Sequence, residues 1–106
     1  MSLDIYLSFN DEIVFDANLT HNLTKMADKA DLYKVLWRCD EYGINMAEDL
    51  IEHLEAGLSN LIKNKEELEE LSPSNGWGTY GGLLKVVCSY LSACHKYPKA
   101  KIELSR

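Results

Sequence analysis

Leu3-Asp4-Ile5-Tyr6-Leu7-Ser8-Phe9 alternates apolar and polar side chains over seven residues. A period of two puts the apolar side chains on one face, so the stretch predicts a half-buried β-strand. The turn-forming pair Asn10-Asp11 comes next, followed by a second short strand from Glu12 to Asp16, and a hairpin is the natural connection. The segment Ala100 to Ser105 alternates in the same way and predicts a third strand, able to pair with the hairpin.

Helical periodicity fills the chain between these strands. Thr20 is predicted to cap a first helix that breaks around Lys29 to Asp31 and ends before a loop from Cys39 to Gly43. Asn45 is predicted to cap the next helix, with Glu48 completing a capping box. A short acidic helix follows, Glu66 to Leu71. The apolar stripe of the Asn45-capped helix consists of Ala47, Leu50, Ile51, Leu54, Leu58, Leu61 and Ile62.

The last predicted helix runs from Leu83 to Tyr97 and carries one narrow polar stripe, so we expect it to be buried on most sides. The elements together predict an α+β fold: a small antiparallel sheet of about three strands, formed by the N-terminal hairpin and the C-terminal strand, packed with three to four helices. At 106 residues the whole chain, 1–106, is expected to form a single domain.

Composition narrows the class of partner. The chain has 17 acidic and 11 basic side chains, a net charge of −6, which argues against general nucleic-acid binding and against anionic membranes. No apolar run is long enough for a transmembrane helix, and no basic leader precedes the first strand. We therefore expect a soluble cytoplasmic protein with reduced cysteines. No histidine has a second ligand at helical spacing, so neither a metal nor a cofactor is expected.

Ser74-Asn75-Gly76-Trp77-Gly78-Thr79-Tyr80-Gly81-Gly82 holds four of the six glycines and one of the two tryptophans. Thr79 is a good N-cap for the last helix, and a helix start exposes N–H groups that favour phosphate or carboxylate. Trp77 and Tyr80 offer stacking faces for a base or sugar. The alternative is structural: the glycines make a tight turn, and Trp77 fills the core.

A second polar cluster surrounds the first predicted helix start: Asn18, Thr20, His21 and Asn22. His21 has the side chain that can donate to an anion or act as a base near neutral pH. Arg38 follows Trp37 and could clamp a phosphate or carboxylate, although an ion pair with Asp40 or Glu41 explains it equally well. No catalytic set stands out, and His21 near Asp16, together with Cys39, supplies only loose candidates for catalysis.

Distinctive residue blocks run from one end of the chain to the other: Met1 to Leu7, Ala17-Asn-Leu-Thr-His-Asn-Leu23 with Met26-Ala27, Leu36-Trp37-Arg38, Asp49-Leu50-Ile51, Asn75-Gly-Trp-Gly-Thr-Tyr80, Tyr90-Leu91 with Ala93-Cys94, and Ser105-Arg106. In these blocks the chain resembles a family of small phage, prophage and bacterial proteins to which no activity is assigned, and the resemblance implies a bacterial host cell. It departs from the family pattern at Cys39-Asp40, where Pro-Glu is expected, and at Asp31, where Gly is expected. The resemblance implies a shared fold and residue pattern rather than a mechanism.

Three hypotheses follow. In the first, the protein binds and sequesters a small anionic, nucleotide-like molecule, by analogy with small phage proteins that act as anti-defence sponges. In the second, it is a protein interaction module or homo-oligomer that uses the acidic helix face with Glu52 and Glu55. In the third, it is a small enzyme acting through His21. The expected ligand-binding residues are Asn18, Thr20, His21, Asn22, Arg38, Asn75, Trp77, Thr79 and Tyr80.

Overall fold

The alternating N-terminal stretch forms the central strand of a three-stranded antiparallel sheet. The structure, a computed structural model, describes residues 1–73, 75, 76 and 78–106. The strands are β1 (Ser2–Phe9), β2 (Glu12–Thr20) and β3 (Lys101–Ser105), in the order β2-β1-β3. Both neighbours of β1 run antiparallel to it. The predicted α+β fold, built from an N-terminal hairpin and a C-terminal strand, is confirmed.

The hairpin turn is made by two residues with positive φ, Asn10 at 52° and Asp11 at 63°. Positive φ at both central positions matches the right-handed twist of the flanking strands, and Asn and Asp tolerate it better than most residues. Leu7 pairs with Phe15 and Ser8 with Ile13, which leaves one extra residue in β2 and so forms a β-bulge. The second strand continues to Thr20, so the predicted end at Asp16 is wrong.

Five α-helices connect the hairpin to β3 among the described residues: α1 (Thr24–Lys29), α2 (Tyr33–Trp37), α3 (Ala47–Lys63), α4 (Lys65–Glu69) and α5 (Tyr80–Lys96). The predicted break between α1 and α2 is confirmed, and Asp31 adopts a φ of 60° there. The predicted loop after Arg38 is instead a 3₁₀ turn, Cys39–Tyr42, which Gly43 ends in the left-handed conformation.

The start of α3 depends on backbone groups far along the chain. Met46 is its N-cap and makes no side-chain capping bond, so the predicted cap at Asn45 is wrong. The amides of Ala47 and Glu48 instead donate to the carbonyl oxygens of Ala100 and Pro98, both at 2.9 Å. The open N–H groups of this helix are therefore satisfied by the segment that leads into β3. The predicted apolar stripe is also wrong at its last residue, since Ile62 is 65% exposed.

Helix α5 begins at Tyr80, three residues before the predicted Leu83. Thr79 caps it as predicted, because its hydroxyl accepts a hydrogen bond from the Gly82 amide at 3.0 Å. The expectation that this helix is buried on most sides is wrong: one face is buried and the opposite face is exposed. Cys88 and His95, which the predicted polar stripe did not include, are exposed as well. The fully buried face carries Tyr80, Leu83, Val87, Tyr90 and Cys94.

The helices cover one face of the sheet, where Leu3, Ile5 and Leu7 are completely buried. The opposite face carries the alternate side chains, which are exposed or half-exposed and mostly polar. On this outer face Asp4 lies between Asn18 of β2 and Ser105 of β3, and Tyr6 lies between Asp16 and Glu103. The molecule is therefore two layers deep, and the cluster that begins at Asn18 lies at one end of the outer layer.

Candidate functional site

The loop before α5 lies directly against the end of β2. Gly78 has a φ of 96°, and a Cβ built on it would lie 2.7 Å from Cγ2 of Thr20 and 2.8 Å from Cγ of Leu23. These distances are shorter than side chains tolerate, so only glycine allows the two segments to approach this closely. The two polar stretches that stood out in the sequence, more than 50 residues apart, therefore meet in space.

A cleft of about 500 Å³ lies where they meet. Four of the nine residues predicted to bind a ligand contribute to its lining: Asn18 from β2, Thr20 and Asn22 from the start of the first helical segment, and Asn75 from the loop. Met1 and Ser2, which the sequence reasoning did not single out, complete the described lining. The cleft is thus built from three separate stretches of chain, and most of its side chains are amides or hydroxyls.

Hydrogen bonds in the outer face of the sheet orient the wall of this cleft. The side-chain amide of Asn18 donates to Oγ of Ser2 at 2.9 Å and to Oδ1 of Asp4 at 2.8 Å. Because both N–H groups are engaged, the side-chain carbonyl oxygen is the group of Asn18 left to meet a ligand. The Thr20 hydroxyl accepts from the amide of Asn22 at 3.3 Å, so its own proton can still be donated.

The register of the sheet explains why Ser2 and Asp4 belong to this wall. Ser2 pairs with Thr20 and Asp4 with Asn18 across the two strands, and directly opposed residues share a face. A strand predicted to end at Asp16 could not reveal these pairs. The alternation of Asp16, Ala17, Asn18 and Leu19, which carries β2 to Thr20, was the available signal.

The electrostatics of the cleft are not those of an anion site. None of the lining side chains described by the structure is cationic, and the Asp4 carboxylate is hydrogen-bonded to the wall. A protein with a net charge of −6 adds long-range repulsion toward anions. The amides and hydroxyls of the lining instead provide directional hydrogen-bonding groups.

His21 lies beside this cleft but its ring turns into the protein. The ring is half-buried, with its centroid 6.4 Å from that of Trp37. Its Nε2 atom is buried and has no hydrogen-bond partner among the described residues, while its backbone amide donates to the carbonyl of Met1 at 3.1 Å. Asp16 is exposed on the outer face of the sheet. Nε2 of His21 is thus placed for packing against Trp37 rather than for proton transfer in the cleft.

Arg38 is held by its neighbours on the chain. Nε donates to the Tyr33 hydroxyl at 3.2 Å, and Nη1 lies 3.0 Å from Oε2 of Glu41. The hydrogen bond that Arg38 donates to Tyr33, and then the one it donates to Glu41, raise the pKa of the guanidinium. Asp40 pairs instead with Arg106. The alternative of an ion pair with Glu41 is therefore the arrangement found, and Arg38 does not line the cleft.

Thr79 and Tyr80 line a different depression, of about 450 Å³, together with Gly81 and the ion pair of Lys65 and Glu69. Thr79 is used as the cap of α5, and the buried Tyr80 hydroxyl donates to the carbonyl of Leu61 at 2.7 Å. The nine predicted residues are therefore not gathered around one cavity. Trp77, the aromatic partner predicted for Tyr80, lies outside the described residues.

Comparison with protein-family models, curated proteins and solved structures finds no match to this chain. Within residues 1–73, 75, 76 and 78–106, no group of three side chains is arranged to hold a metal ion. In the same part of the chain, no helix has the length and apolar character needed to cross a bilayer. The case for a function therefore depends on the geometry of the cleft.

Proposed function

We propose that this protein binds, and by binding sequesters, a small nucleotide-like molecule in the cleft between β2 and the loop before α5. The observation that carries the proposal is the convergence enforced at Gly78, which places Asn75 on one cleft with Asn18, Thr20 and Asn22. Polar side chains drawn from distant stretches and facing one concave surface are the usual composition of a small-molecule site.

The lining favours the base and sugar of such a ligand over its phosphate. Amides and hydroxyls match the donors and acceptors on a nucleobase edge and on ribose. No side chain in the described lining is cationic, so the anionic end of the ligand would face solvent. The sequence led us to expect an anionic ligand. In the proposal the ligand still carries a negative charge, but the cleft binds its base and sugar rather than its charged group.

The test is a binding panel with matched variants. The probes are the four common ribonucleosides, their 5′-monophosphates and cyclic dinucleotides, measured by thermal shift and calorimetry. We expect at least one nucleoside to bind, with its monophosphate within about threefold in Kd because charge contributes little. Asn22→Ala should weaken binding by about three- to tenfold, the usual effect of losing one net hydrogen bond.

Asn45→Ala is the matched control, since Asn45 is also an exposed asparagine but lies next to β3, outside the lining of the cleft. It should leave the Kd unchanged. Mass spectrometry of protein incubated with cell extract and then denatured should release the bound molecule intact. The anti-defence role, which is drawn by analogy with small phage proteins that sequester nucleotide signals, requires such retention without turnover. The proposal is abandoned if no probe binds, or if phosphate alone provides nearly all of the affinity.

A further inference from the structure

The two edges of the sheet differ in how completely their backbone is paired. On the β3 side, the Ile102 amide donates to the carbonyl of Asn45 at 2.9 Å, and Met46 forms a bridge with Lys101. On the β2 side, residues 12–19 have no backbone hydrogen bond beyond those with β1 in the described part of the chain. Unpaired strand edges are templates for another strand, so β2 is the open edge of this sheet.

A groove of about 500 Å³ runs along this edge, between β2 and the exposed side of α5. Val14 and Phe15 form its wall on the strand, and Phe15 stacks on Tyr90 of α5 with ring centroids 5.3 Å apart. Ser89, Ser92 and Lys96 line it from the helix. A strand added beside β2, about 4.8 Å away, would lie over these helix residues.

The charge along the groove is opposite to that of the rest of the protein. Helix α5 contains two lysines and no aspartate or glutamate, in a chain with 17 acidic side chains. Lys85 and Lys96 are exposed on α5, in one stripe with Ser89 and Ser92. Asp16, an acidic residue of β2, pairs with Tyr6 and so lies on the outer face of the sheet, away from α5.

The same arrangement disfavours a second copy of this chain on the edge. Antiparallel pairing of two β2 strands about the midpoint of the strand would place Asp16 of the two copies opposite each other, and the only other charged side chain of β2 is Glu12. Like charges at opposed strand positions are destabilising. The strand carries no lysine or proline of the kind that usually blocks edge pairing.

We propose that the β2 edge and the adjoining α5 groove bind an extended acidic segment of a partner protein, which adds to the sheet as a fourth strand. Main-chain hydrogen bonds to β2 would supply the affinity, and apolar side chains at alternate positions would enter the groove beside Phe15. Carboxylates at the rim would meet Lys85 and Lys96. This binding surface is separate from the polar cleft that contains Asn22.

The experiment is to pan a library of random ten-residue displayed peptides on the full chain. We expect enriched peptides to alternate apolar and polar residues and to carry an excess of aspartate and glutamate. One enriched peptide is then synthesised, and amide shifts in the labelled protein should map to β2 and to the exposed face of α5. Asn22→Ala should not alter its binding, which separates this surface from the nucleotide cleft.

Charge reversal with a matched control decides the role of the lysines. The double variant Lys85→Glu and Lys96→Glu should weaken the peptide by about tenfold or more, because two rim attractions become repulsions. Lys25→Glu with Lys63→Glu makes the same charge change at exposed lysines elsewhere and should alter the affinity less than about twofold. Peptides without an acidic bias, or shifts that map away from β2, would overturn the proposal. A dimer detected by sedimentation, with the β2 edge as its interface, would also overturn the proposal.

Discussion

Replacing Gly78 with alanine is the most direct perturbation of the contact that builds the cleft. Two independent costs act at this position. The φ of 96° is a conformation that L side chains rarely adopt, and the new Cβ would lie 2.7 Å from Cγ2 of Thr20 and 2.8 Å from Cγ of Leu23. The conformational cost is about 1–2 kcal/mol, and overpacking of this kind costs about 1–3 kcal/mol. We therefore expect Gly78→Ala to lower the free energy of unfolding by about 2–5 kcal/mol.

Two other glycines of the same stretch separate these costs. Gly76 has a φ of 76° but open space around its would-be Cβ, so Gly76→Ala should lose only the conformational part, about 1–2 kcal/mol. Gly81 lies in the first turn of α5, again with open space, and needs no positive φ. Gly81→Ala should therefore stabilise the protein by up to about 1 kcal/mol. All three variants replace glycine with alanine, but their expected effects on the free energy of unfolding differ in sign and size.

The assay is urea unfolding, with thermal unfolding as a check. For a domain of this length about 1 kcal/mol corresponds to about 4 °C. Gly78→Ala should then lower Tm by about 8–20 °C, and Gly76→Ala by about 4–8 °C. Thr20→Ser removes the nearest methyl group while keeping the hydroxyl that caps the following turn. It should recover part of the loss in Gly78→Ala and none of the loss in Gly76→Ala. Equal losses in the two alanine variants, with no rescue by Thr20→Ser, would refute the close contact.

Three further predictions concern buried residues. A Cβ on Gly57 would overlap the buried side chain of Leu32. Gly57→Ala should therefore destabilise the protein by about 1–3 kcal/mol, even though alanine has the better helix propensity. Urea unfolding measures this loss. Burial raises the pKa of the Cys39 thiol to about 11 and that of the Cys94 thiol to about 12. A maleimide at pH 8 should therefore label only the exposed Cys88 in the folded protein. In denaturant it should label all three cysteines. Because unfolded thiols lose their protons near pH 9, the unfolded state binds fewer protons above that pH and stability should fall as the pH rises. Cys94→Ala should flatten this fall, whereas an unchanged slope would contradict the burial argument.

Local pattern in the sequence was sufficient for much of the secondary structure. The alternation from Leu3 to Phe9 requires no distant partner to define a half-buried strand, and Asn10-Asp11 defines its turn. The hydroxyls of Thr20 and Thr79 cap the turns that follow them because the backbone amides that donate to them lie only two or three residues away. Interactions confined to a few neighbouring residues can be predicted from those residues alone.

The polar residues of the cleft were also visible in the sequence, but not their arrangement. Asn18, Thr20, Asn22 and Asn75 stood out by type, whereas Ser2 became recognisable only from the register of two paired strands. The sequence allowed Arg38 either to bind an anion or to form an ion pair with Asp40 or Glu41. Only the packed structure shows that Arg38 pairs with Glu41 and donates to the Tyr33 hydroxyl.

What only the tertiary structure decided is where distant backbones approach. The α3 amides are satisfied by carbonyls of Pro98 and Ala100 rather than by the side chain of Asn45, because the chain returns there to form β3. Within the glycine stretch, Gly78 is the position where a close contact requires glycine, because its backbone packs against Thr20 and Leu23. A sequence shows that glycine is present, but the neighbour that requires it is chosen by packing between residues more than 50 positions apart.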